Sequence, residues 1–175
     1  MHPEEIAPTP APAPASLPSD WQLLPLRGAK LAALGSATGM AIPFALAFAA
    51  LSRIRVLEFG NLFVMALIGA LLGLGIGAWL GFMRHRRVSW KLDAEGFAVR
   101  RGNWWRTETR VPVSRVQHLD LKRGPLERGL SLATLVVHTA GTSMAAVTVS
   151  GLDGADAERL RDRLGHQLEQ ADDAL

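Results

Sequence analysis

The 175-residue sequence contains no cysteine and no tyrosine. Without Cys there are no disulfides, no thiolate nucleophile, and no thiolate-held zinc or iron–sulfur cluster. Charge is scarce as well. Asp, Glu, Lys and Arg make up 20% of the chain, against about a quarter in a soluble domain. Residues 31–52 (LAALGSATGMAIPFALAFAALS) and 59–83 (FGNLFVMALIGALLGLGIGAWLGFM) hold no charged residue at all. Hydrophobic residues reach 49% and mean hydropathy is +0.16. So uneven a distribution excludes a single soluble globule. Neither a GxxxxGK[ST] phosphate loop nor a GxSxG nucleophile elbow occurs. His2, His85, His118, His138 and His166 lack the spacing of metal ligands along the chain. These absences point away from an enzyme, and no cofactor or resident metal is expected.

The net charge of +3 is segregated. Residues 84–150 carry twelve Lys and Arg against five Asp and Glu, a net +7, whereas 151–175 carry three Arg against seven acids, a net −4. The pI near 10.2 therefore describes 84–150 more than the molecule. Six of the ten prolines fall at Pro3, Pro8, Pro10, Pro12, Pro14 and Pro18, mostly alternating with Ala. Each lacks an N–H and fixes φ, so neither helix nor ladder can form there. A disordered, Pro/Ala-rich tail over 1–30 is expected. Glu4 and Glu5 are its only charges before Asp20, unlike the basic start of a signal peptide.

Crossing a bilayer takes about 20 apolar residues, and both uncharged runs reach that length. The 92 residues after the second run are too few to wrap two helices that are apolar all round. The short link Arg53–Glu58 makes 31–83 a transmembrane hairpin of two helices, 31–52 and 59–83. Arg27 and Lys30 before it, with Arg84, Arg86 and Arg87 after it, outnumber Arg53 and Arg55 in the link. The positive-inside bias then puts both termini in the cytoplasm. Pro43 should bend the first span. Gly69, Gly73, Gly77 and Gly81 recur every four residues and share one face of the second helix, and Gly35 and Gly39 form such a pair in the first. Small residues at this spacing let backbones approach closely in lipid. The six glycines are expected to pack the hairpin. A homo-oligomer is the alternative, since four glycines exceed what a partner with two requires.

Beyond residue 83 the pattern turns to short strands. Val88–Asp93 and Phe97–Gly102 flank a turn at Gly96, forming a hairpin. Residues 104–113 alternate in part. Arg115–Lys122 alternates and reads as a strand, with Val116, Leu119 and Leu121 its apolar positions. Leu132–Thr139 and Ala145–Val149 read as further strands. Asp153 can cap a helix from Gly154 to about Gln170, with Ala157, Leu160, Leu164 and Leu168 on one face. Strands followed by one amphipathic helix give an α+β domain over 84–175, a curved antiparallel sheet or barrel plugged by its C-terminal helix.

Within this domain stand Arg110-Val-Pro112-Val-Ser-Arg115-Val-Gln117-His118, Gly124-Pro125-Leu126-Glu-Arg128, and Leu132-Ala-Thr-Leu135-Val-Val-His138-Thr139. These motifs, with Gly151-Leu152 before the last helix, resemble the YdbS-like bacterial pleckstrin-homology (PH) domain membrane proteins. The resemblance implies a two-helix membrane hairpin ahead of a PH-like domain, the bacterial inner membrane, and no enzymatic activity. It also implies a partner, a larger membrane protein with repeated PH-like domains. One departure is Gly129-Leu130-Ser131, where the family tends to have an aromatic residue and a Gly after the counterpart of Arg128.

Two basic groupings remain. Arg84, Arg86, Arg87 and Lys91 form a juxtamembrane cluster, suited to anionic headgroups and to setting topology. Arg100, Arg101 and Arg106 flank Trp104 and Trp105. Basic residues among aromatics can mark nucleic-acid binding, but beneath a membrane they fit a bilayer surface or a protein partner better, and no nucleic acid is expected. On a strand, adjacent Trp residues would face opposite ways, one of them into the core. Asp93 and Glu95 at the first turn argue against a phosphoinositide. The sequence thus reads as a membrane-anchored, non-enzymatic interaction module. The alternative is a small oligomeric channel or envelope-stress permeability factor built on the glycine stripe.

Overall fold

In the computed structural model, residues 20–53, 61–93, 95–102, 105–140 and 146–172 are described. The proline-rich stretch through residue 19, most of the 53–58 link and Trp104 lie outside them, as does the side chain of Leu168. Helix α1 spans Leu26–Leu51 and α2 spans Leu62–Arg86. The first begins five residues before the uncharged run, because Pro25 in extended backbone opens it and a Pro costs nothing ahead of the first turn. Asn61 caps the second by accepting the Phe63 N–H at 3.0 Å. Arg84 and Arg86 lie in the last turn of α2, where their positive charge suits the exposed carbonyls.

The two helices lie antiparallel, and the glycine stripe of α2 is what brings them together. A Cβ on Gly69, Gly73, Gly77 or Gly81 would meet the carbonyl oxygen of Phe44, Met40, Ser36 or Ala32 at 2.4, 2.5, 2.4 and 2.4 Å. All four glycines are buried. Gly35 and Gly39 do not share this role. They are exposed and have no atom within 4 Å of a built Cβ. On α1 the face one position on, Ala32, Ser36, Met40 and Phe44, supplies the groove instead.

Among the described residues, seven strands and two further helices lie outside the hairpin. β1 (Gln22–Leu23), β2 (Ser89–Asp93), β3 (Gly96–Arg101) and β4 (Thr107–Pro112) form an antiparallel sheet in that order. After a 3₁₀ turn at Val113–Arg115, β5 (Val116–Lys122), β6 (Leu132–Thr139) and β7 (Ala146–Asp153) form a second. The short helix α3 (Pro125–Gly129) links β5 to β6, and α4 (Gly154–Asp172) follows β7. Trp90, Leu92, Phe97 and Val99 of the first sheet meet Leu135, Val137 and Val149 of the second. Ala157, Leu160 and Leu164 of α4 are fully buried in the same cluster, each Leu worth about 1.5–3 kcal/mol over exposure. The antiparallel strands and C-terminal helix expected of a PH-like domain are present, the strands divided between two sheets.

The expected tail does not run to residue 30. Gln22 and Leu23 pair with Trp90 and Ser89, and Leu24 is only 4% exposed. That pairing and burial offset the chain entropy of ordering the segment. Of the two adjacent tryptophans, Trp105 is the exposed one, and Trp104 lies outside the described residues. Trp105 precedes β4 and is 88% exposed, while Trp90 fills the core. The hairpin and the domain are joined at β7. Arg27 of α1 pairs with Asp153, whose other oxygen accepts the Ala155 N–H at 3.0 Å. The buried His85 ring lies against Gly28 and Gly151. A Cβ at Gly151, where φ is +75°, would come within 2.5 Å of His85 Cε1.

Candidate functional site

Directly beyond α2, a cleft of about 490 Å³ is lined by Arg87, Ser89, Arg100, Arg101, Gly102 and Arg106. Four elements contribute to it. Arg87 is the C-cap of α2, Ser89 and Arg100 are paired neighbours on β2 and β3, and Arg106 leads into β4. Strand alternation splits the adjacent Arg100 and Arg101 to opposite faces. Arg100 stacks on Trp21, 4.0 Å from the ring centroid, and donates to Glu108 at 2.8 Å. Arg101 reaches across to the second sheet and donates to the Thr148 carbonyl. Arg87 and Arg106 are exposed and have no carboxylate partner among the described residues. Four guanidiniums around one opening are suited to a phosphate or carboxylate, which an Arg can grip through two N–H donors.

The juxtamembrane cluster is narrower than its sequence. Arg84, Arg86 and Arg87 are exposed at the end of α2, but Lys91 belongs to β2. It lies 5.6 Å from the Trp21 ring centroid and bonds Asp93 at 2.7 Å. That contact is the largest influence holding the Asp93 carboxyl below its ordinary 3.8. On the same outer face, Glu108 accepts from Arg100 and from Arg110, both at 2.8 Å, and these bonds hold its carboxyl below the ordinary 4.5. Glu95 lies 3.8 Å from Arg110. The acids at the first turn are therefore engaged by Lys91 and Arg110. The unengaged positive charge sits at the opposite, α2-proximal end of the sheet.

The residues that carry the family resemblance do not converge on one opening. Arg110 joins the outer-face ladder and Pro112 ends β4. Arg115 is exposed, its carbonyl accepting the Ala140 N–H at 2.8 Å. Gly124 and Pro125 start α3, where Glu127 accepts from the Gly124 N–H at 2.8 Å and the Thr134 hydroxyl at 2.7 Å. Arg128 is exposed, and Thr139 ends β6 half-buried. The Gly129-Leu130-Ser131 departure forms a tight turn in which Ser131 takes φ +51°.

Gln117 marks a β-bulge. Val116 pairs with Thr139, but His118 pairs with His138, so β5 gains one residue on β6. The bulge reconciles Val116, Leu119 and Leu121, which all contact the core. It also turns His118 and Asp120 outward beside His138. The two imidazoles stack with centroids 3.9 Å apart and planes 12° from parallel, and His138 Nε2 lies 3.2 Å from Asp120 Oδ2. Reading the chain for ligand spacing misses this trio, because two strands and a bulge assemble it. The broken parity of 115–122 is the signal that it left in the sequence.

A family model described as Bacterial PH domain matches residues 29–168. The chain is similar to the UPF0699 transmembrane protein YdbS of Bacillus subtilis (strain 168), 31% identical over 91 residues, 52% of this chain and 55% of that protein. The chain thus spans about half the length of the curated relative it matches. No solved structure matches. The matched span takes in most of α1, all of α2, strands β2 to β7 and most of α4. Two transmembrane helices joined to two packed antiparallel sheets and a C-terminal helix, matched over four-fifths of the chain, make this protein a member of the bacterial PH domain family.

Proposed function

We propose that this protein is a non-enzymatic interaction module of the bacterial inner membrane, anchored by its hairpin with both termini cytoplasmic. Its arginine cleft engages anionic headgroups, and the domain works with a membrane protein partner. The observation that supports this reading most is the position of the cleft, whose first arginine is the residue that caps α2. Each basic residue held near an anionic surface contributes about 1 kcal/mol. Arg87, Arg101 and Arg106 are the three not neutralised by a carboxylate among the described residues. The partner implied by the resemblance, a larger membrane protein with repeated PH-like domains, would meet the same exposed surface beside Trp105.

The channel alternative ranks second. It needed the glycine stripe for assembly, and α1 occupies that stripe. Of the polar groups in the spans, Thr38 bonds back to the carbonyls of Leu34 and Gly35 at 3.1 Å, which leaves little to line a pore.

The test is purification of the full chain from native membranes in mild detergent, beside the R87E/R101E/R106E variant. The wild type should carry anionic phospholipid and a membrane protein at fixed ratio. The variant should stay inserted and lose the lipid. A wild type that retains neither would contradict the reading.

A further inference from the structure

We propose that His118, Asp120 and His138 form a binding site for a divalent transition-metal ion of borderline softness, zinc foremost. One ligand atom from each residue lies within 4.8 Å of the others. Zinc takes imidazole nitrogen and carboxylate oxygen at about 2.0–2.2 Å in a tetrahedron, which places neighbouring ligand atoms about 3.3 Å apart. His138 Nε2 and Asp120 Oδ2, at 3.2 Å, already have that separation. His118 is exposed, so a side-chain rotation closes the rest of the distance without moving backbone.

The backbone that carries the trio is fixed. His138 lies on β6, the central strand of its sheet, hydrogen-bonded to β5 and β7. Asp120 pairs with Val136, which is 6% exposed and supplies an apolar floor. The bulge at Gln117 is what puts both β5 ligands on the outer face. Without it the register of Val116 and Thr139 would continue, and His118 and Asp120 would point into the core. Bulges commonly re-aim a side chain at functional sites. Two imidazoles and one carboxylate are a donor set for zinc, cobalt, nickel or iron, and ill-suited to calcium or magnesium, which take oxygen ligands. Three protein ligands leave a fourth position for water or for a donor from another molecule.

The experiment titrates cobalt(II), then zinc(II), into the tag-free full chain in detergent, following the cobalt ligand-field spectrum and the melting temperature. One equivalent of cobalt should bind with a nitrogen–oxygen spectrum, zinc should displace it, and melting should rise with metal. H138Q and D120N should each bind at least about tenfold more weakly, while H166Q should bind as the wild type does. H118Q, changed at an exposed position, should fold normally and show the same loss. Saturable binding unchanged in H118Q and H138Q, or no saturable binding by the wild type, would overturn the site and leave the trio a hydrogen-bonded surface cluster.

Discussion

Gly77 has no room for a Cβ because the Ser36 carbonyl stands 2.4 Å from where it would be, and Gly39 has nothing within 4 Å. Identical residues at identical spacing thus do different things on the two helices. Four-residue recurrence shows that residues share a face, but not what covers it. The α1 groove is built from Ala, Ser, Met and Phe, a mixed set that carries no small-residue signature. Gly73→Leu with Gly77→Leu should force the helices apart and lower the abundance of the protein in membranes several-fold, the usual consequence of losing about 1–2 kcal/mol. Gly35→Leu with Gly39→Leu should leave abundance unchanged. Immunoblots of membrane fractions compare the two pairs, and a reversed order would contradict the packing.

At the scale of elements, the β2–β4 face is held by charge pairs that titrate. Asp93 and Glu108 have carboxyls held below their ordinary 3.8 and 4.5 by Lys91 and by Arg100 and Arg110. Their contribution to stability is complete above those ordinary values and is lost as pH falls through the lower values of the folded state. Melting temperature should therefore drop as pH falls below about 4.5, and the drop should be smaller in the D93N/E108Q variant. Equal slopes would show that the pairs do not stabilise the sheet. Gly151 tests the junction of hairpin and domain. Ala there must adopt φ +75° and crowd His85, at a cost of about 1–3 kcal/mol, so G151A should melt several degrees lower. Unchanged melting would mean that His85 and β7 are not packed together.

Element identity was legible wherever hydrophobicity was strong. Leu132–Thr139 matches its strand residue for residue, and the α4 face was readable from Leu160 and Leu164. Two-residue β1 was not, because a strand that short has no period and exists only through its partner Ser89–Trp90. The cleft was half legible. Arg100, Arg101 and Arg106 stood out beside the tryptophans, but Arg87 joins them only because α2 ends where β2 begins. The outward trio of His118, Asp120 and His138 depended on cross-strand register, which a one-residue bulge sets.

The whole molecule is a membrane hairpin whose base is packed onto a PH-like domain by Arg27–Asp153, His85 and the short β1, so the anchor and the domain share one interface. The proposed function requires that the PH-like domain and the arginine cleft stand in the cytoplasm. Both termini must then lie on that side, since two spans return the chain to where it entered. The direct measurement is paired reporter fusion, with one fusion at Ala7 and one at Leu175, each to a phosphatase active only outside the cytoplasm and to a fluorescent protein that folds only inside. Fluorescence without phosphatase activity at both ends is the predicted result. Phosphatase activity at either end would contradict the account.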